Sequence, residues 1–104
     1  MSKIAMISQP MRDLDSDTIN KKRLKAQEDL YSQGYANVIN TYFECPNNAL
    51  CGVKHESLYF LSRAIDSMSK ADAVYFCKGW EDARGCKIEH EIALQYGLEI
   101  IYEK

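Results

Sequence analysis

No apolar stretch in this chain runs beyond a handful of residues, so nothing approaches the roughly 20 that a membrane-spanning helix needs. The opening MSKIAMIS carries no signal-peptide core either, and the expected compartment is the cytoplasm. Proline and glycine are scarce, two and five residues in 104, while 46% of residues are hydrophobic. That balance excludes low-complexity disorder and predicts one globular domain over residues 1–104. An excess of one charge is also missing: at a formal net charge of -2, the composition offers no general attraction for nucleic acid or an anionic membrane. The loop after the first apolar run has no glycine-rich cradle, which excludes a nucleoside-triphosphate or dinucleotide fingerprint there. The four cysteines are expected as thiols in a reducing compartment. Cys45, Cys51, His55 and Cys77 fit no structural zinc spacing, so neither a metal nor a redox cofactor is expected.

What is present is alternation. Lys3–Ser8 (KIAMIS) reads as a strand buried on both faces. Pro10 breaks the chain after it, Asp15 or Ser16 offers a cap, and a helix is predicted over Asp17–Gln33 with Gly34 as its stop. Lys21, Lys22, Arg23 and Lys25 on that helix are expected to form a solvated face. A second strand over Tyr35–Asn40 leads into a long, turn-rich loop, Asn40–Lys54, of the kind that carries a substrate site. A helix over His55–Lys70, a strand over Asp72–Cys77, a short loop, a last helix and a strand over Leu98–Glu103 complete the order. This is the pattern of an α/β protein: a small doubly wound parallel sheet, flavodoxin- or Rossmann-like, of about four strands with helices on both faces. Ligands of such sheets lie beyond the carboxyl ends of the strands, where SQPMRD, NTYFECPNN and KGWEDARG fall.

The last helix, within ARGCKIEHEIALQYG, sets Glu89, His90 and Glu91 in a row. At about 100° per residue, Ile88, Ile92, Gly85, Tyr96, Ala93 and Cys86 define an inward arc, and Glu89 falls inside it. Lys87, His90, Glu91 and Gln95 fall outside, with Leu94 the one apolar residue on that side. His90 and Glu91 are therefore expected in solvent and Glu89 in the core or a cleft. Burial raises the pKa of such a carboxyl, while a nearby helix N-terminus lowers it. Glu89 is either a structural acid, held by a hydrogen bond or by Arg84, or a functional one.

The flanking loops add candidates with two readings each. Trp80, Tyr42 and Phe43 either stack on a flat ligand or pin their own loops. Arg12 and Arg84 either meet a phosphate or form surface ion pairs.

The stretch ADAVYF followed by GWEDARGCKIEHEIALQYG resembles the nucleoside 2-deoxyribosyltransferase-like superfamily, and within it a branch of short proteins catalogued as a domain of unknown function. Ala71 and Asp72, Gly79 and Trp80, then Gly85, Glu89, Ala93 and Gly97 carry the resemblance. It implies that Glu89 is a nucleophile that attacks the anomeric carbon of a nucleoside or nucleotide and forms a glycosyl-enzyme, which water or a second base resolves. It also implies a pocket lined by Ser8, Gln9, Met11, Asp82 and Gly85, with Trp80 or Tyr42 on the base and Arg84 or Arg12 on a phosphate. A homo-oligomer whose neighbour completes the pocket is expected on the same ground. Three positions depart from the resembling pattern: Ala64 and Ala83 stand where acidic or hydroxyl residues hold the sugar or phosphate, and Gln9 precedes Pro10 in place of a glycine. These departures favour the alternative, a nucleotide-binding or sensing module without chemistry.

Overall fold

The computed structural model describes residues 3–10, 14–39 and 52–104. Met11, Arg12, Tyr42, Phe43, Cys45 and Cys51 lie outside these residues. The elements alternate as β1 (Ile4–Ser8), α1 (Ser16–Ser32), β2 (Asn37–Ile39), α2 (Glu56–Met68), β3 (Ala73–Phe76), α3 (Arg84–Gln95) and β4 (Glu99–Tyr102). The strands form one parallel sheet in the order β2-β1-β3-β4. This is the doubly wound α/β architecture that the alternation predicts, with boundaries moved by one or two residues.

Residues Ala5 to Ser8 of β1 and all of β3 are buried, because both faces of the sheet are covered. Alternate side chains divide between two cores. Ala5, Ile7, Ala73 and Tyr75 pack with Ala26 and Leu30 of α1. Met6, Val74 and Phe76 pack with Met68 of α2 and Ala93 of α3 on the opposite face. Two buried phenols tie the layers together: Tyr75 Oη donates to Asp29 Oδ2 on α1 at 2.7 Å, and Tyr35 Oη donates to Glu99 Oε2 on β4 at 2.5 Å.

Asp15 caps α1 as expected, its Oδ1 accepting from the Thr18 N–H at 2.8 Å. The expected basic face is corrected at one residue. Lys21, Lys22 and Lys25 are exposed, but Arg23 is buried, because it occupies the same helical stripe as Ile19, Ala26 and Leu30. Its burial lowers the guanidinium's pKa.

Strand order reverses between β1 and β3, so the chain leaves these two neighbours toward opposite faces of the sheet and opens a crevice at their carboxyl ends. The Cys77 N–H extends the ladder by donating to the Ser8 carbonyl at 3.0 Å. Beyond it, the expected simple loop contains a 3-10 turn, Trp80–Asp82. Gly79 enters that turn at φ +90°, and a Cβ there would lie 3.7 Å from Pro10 Cγ, so the loops after β1 and β3 meet. Among the described residues, no helix is long and apolar enough to cross a membrane.

Candidate functional site

Helix α3 starts at Arg84 behind Ala83, which has extended backbone and provides no side-chain cap. Helical side chains lean toward the N-terminus, and Glu89 follows the rule. Its Oε2 lies 3.8 Å from the position a Cβ on Gly85 would take, so this glycine leaves the space beside the carboxyl open. Glu89 itself is 8% exposed. Burial lifts its pKa from the ordinary 4.5 to about 7, and the Ser8 hydroxyl opposes that rise. Ser8, at the end of β1, is 2% exposed, and its Oγ completes no hydrogen bond of regular geometry among the described residues. Cys86 joins the group from the first turn of α3. Burial pushes its thiol up to about 11, against the Ser8 hydroxyl and with the help of Glu89. A thiol held this far from ionisation is a poor nucleophile. The buried carboxyl, divided between its two protonation states near neutral pH, is the group equipped to exchange a proton or attack an electrophile.

Gln9 lies beside Ser8. Its Nε2 donates to the Ile19 carbonyl of α1 at 2.9 Å, while its buried Oε1 has no partner. Ser8 and Gly85 thus lie against Glu89, while Gln9, next along the chain, turns to α1. Asp82 and Arg84 are exposed at its rim, and their side chains form no ion pair among the described residues. The glutamate is not held by Arg84.

The expected face of α3 is corrected at both margins. Ile88 and Tyr96, placed on the inward arc, are 39% and 81% exposed. The buried stripe is Cys86, Glu89 and Ala93, centred farther round the helix. His90, expected in solvent, is half-buried. Its ring stacks on Trp80 with centroids 4.2 Å apart, meets Phe76 edge-on, and shares a 2.6 Å hydrogen bond between Nε2 and the Tyr102 hydroxyl. His90, Phe76 and Tyr102 pack around the indole of Trp80. A cleft of ≈ 250 Å³ opens beside this cluster, lined by residues that include Phe76, Lys78, Trp80, Tyr102 and Glu103, and Glu89 is not among them. The roles of His90 and Tyr102 escaped the sequence reading. The surplus of aromatic residues at the ends of β3 and β4 was the available signal.

The family model described as Domain of unknown function (DUF4406) matches residues 7–102. The chain belongs to the DUF4406 family. No curated protein and no solved structure shows significant similarity to it. The DUF4406 match runs from within β1 to the end of β4, so the crevice and every residue gathered around it belong to the family's domain.

Proposed function

We propose that this DUF4406 protein cleaves the N-glycosidic bond of a nucleoside or nucleotide, with Glu89 as the nucleophile. The observation that carries the reading is the Glu89 carboxyl, buried at the sheet crevice beside the open flank of Gly85 and opposite the Ser8 hydroxyl. A carboxylate kept out of water without a salt bridge is costly to maintain, and the crevice of a doubly wound sheet is where ligands bind. The resemblance of Ala71, Asp72, Gly85, Glu89, Ala93 and Gly97 to the nucleoside 2-deoxyribosyltransferase-like pattern supplies the substrate class.

In this reading, ionised Glu89 forms a bond from a carboxylate oxygen to the anomeric carbon while the bond from that carbon to the base nitrogen breaks. The base departs with the bonding electron pair and takes a proton from water. Water, or the nitrogen of a second base, then attacks the same carbon and releases the carboxylate, so the sugar's configuration is retained. The Ser8 hydroxyl favours the ionised form that the first step needs. Arg84, at the rim, and Arg12 are the phosphate candidates. Trp80, which stacks on His90 and also lines the neighbouring cleft, and Tyr42 are the stacking candidates. A homo-oligomer is the expected assembly by resemblance.

A second reading, a nucleotide-sensing module, is favoured by Ala83, which gives α3 no side-chain cap where the resembling pattern has an acid or hydroxyl. Turnover separates the two. Purified protein incubated with ribo- and deoxyribonucleosides and their monophosphates is expected to release free base by chromatography, and Glu89→Ala is expected to release none. Binding without release from any of these substrates would replace the enzyme with the sensing module.

A further inference from the structure

We infer that the aromatic cleft between the turn after β3 and the end of β4 binds a small organic cation of about the size of choline. The ammonium group lies over the Trp80 and Tyr102 rings, with Glu81 as its counter-charge. The inference stands apart from the N-glycosidic reading, because Glu89 does not line this cleft.

The cleft is an opening of ≈ 250 Å³ with Phe76, Trp80 and Tyr102 among its lining residues. That is just under the roughly 300 to 1,000 Å³ of sites that take drug-sized ligands, so the occupant is small. Phe76 is fully buried and belongs to the core, whereas Trp80 is half-buried and Tyr102 is 49% exposed. The planes of Trp80 and Tyr102 differ by 28°, and their centroids stand 5.8 Å apart. A cation is attracted to the face of an aromatic ring within about 6 Å of its centroid, so one charge can reach both rings.

The rings are held before any ligand arrives. His90, which does not line the cleft, stacks on the indole with centroids 4.2 Å apart and shares a 2.6 Å hydrogen bond with the Tyr102 hydroxyl. One imidazole thus fixes both walls, and walls already fixed lose little freedom on binding.

The charges around the rings decide the sign of the ligand. Glu103 is engaged: its Oε1 accepts from the Lys78 N–H at 2.8 Å, and its Oε2 lies 3.4 Å from Lys25 Nζ. Glu81 lines the same cleft and forms no ion pair among the described residues, so its carboxylate is available to a cation. Lys78 is the opposing charge; it is exposed, and its flexible stem can carry the ammonium into water. Ring faces are electron-rich and repel an anion, so the free carboxylate and the rings favour the same ligand.

The test is titration of choline into the intact protein, followed by the emission of Trp80, the chain's single tryptophan. The control ligand is 3,3-dimethylbutan-1-ol, the neutral isostere of choline. Wild type is expected to respond saturably to choline and to bind the alcohol about tenfold more weakly or worse. Glu81→Gln is expected to weaken choline binding and Lys78→Gln to tighten it. Tyr102→Leu, checked for folding by a thermal melt, is expected to lose about tenfold, while Tyr102→Phe keeps the ring and most of the affinity. Equal binding of the alcohol, opposite effects of the Glu81 and Lys78 substitutions, or no saturable response to choline overturns the inference. None of these results bears on base release at Glu89, which Glu89→Ala tests separately.

Discussion

The Ser8 hydroxyl at the end of β1 meets the Glu89 carboxyl on α3, and burial and this hydroxyl act in opposite senses on the carboxyl's proton. Burial raises the Glu89 pKa to about 7, and the hydroxyl draws it down. A nucleophilic carboxylate must be ionised, so the rate of base release is predicted to rise with pH through about 7. Ser8→Ala removes the group that favours ionisation, and the midpoint of the kcat/KM profile is predicted to move to higher pH. A midpoint that stays in place or moves lower would show that the hydroxyl does not act on Glu89.

The same proton links pH to stability. Between about pH 4.5 and 7 the folded chain retains a proton on Glu89 that the unfolded chain has released. The folded state binds more protons there, so stability falls as pH rises through this window. Below it the penalty is absent, and above it the penalty is complete, at roughly 3 kcal/mol for a shift of this size. Glu89→Gln keeps the shape and removes the ionisation. It is predicted to exceed wild type by about 3 kcal/mol near pH 8 and to match it near pH 4, measured as urea midpoints. An equal difference at both pH values would contradict this.

The sheet was legible because its strands are short apolar runs separated by polar helices, and a chain that alternates this way has few topologies open to it. Glu89 was legible from its angular position on α3. The true face of that helix was not. A helical wheel gives weight to large apolar residues such as Ile88 and Tyr96, but the buried stripe is Cys86, Glu89 and Ala93. Arg23 was misread for a related reason: its charge outweighed its spacing with Ile19, Ala26 and Leu30. The bond of Gln9 to Ile19 and that of His90 to Tyr102 join residues from separate elements, and no local pattern announces either.

The His90–Tyr102 bond gives a test that leaves the Glu89 side chain unchanged. Tyr102→Phe deletes the hydroxyl and keeps the ring, and it is predicted to destabilise the fold by about 1 kcal/mol. Trp80 is the chain's single tryptophan and stacks on His90, so its emission reports this cluster alone. The variant is predicted to shift that emission in the native state while base release is unchanged. An unaltered spectrum with full stability would mean that the hydroxyl does not hold the histidine.

The central claim is that Glu89 becomes bonded to the sugar, and the most direct measurement is the mass of the peptide containing Glu89 after acid quench of a reaction that is releasing base. The account predicts that this peptide gains the mass of one glycosyl group, that the gain disappears on alkaline treatment as an ester would, and that Glu89→Gln protein shows neither gain nor release. An unmodified Glu89 peptide from a reacting mixture, with the glycosyl group on another residue, would contradict it.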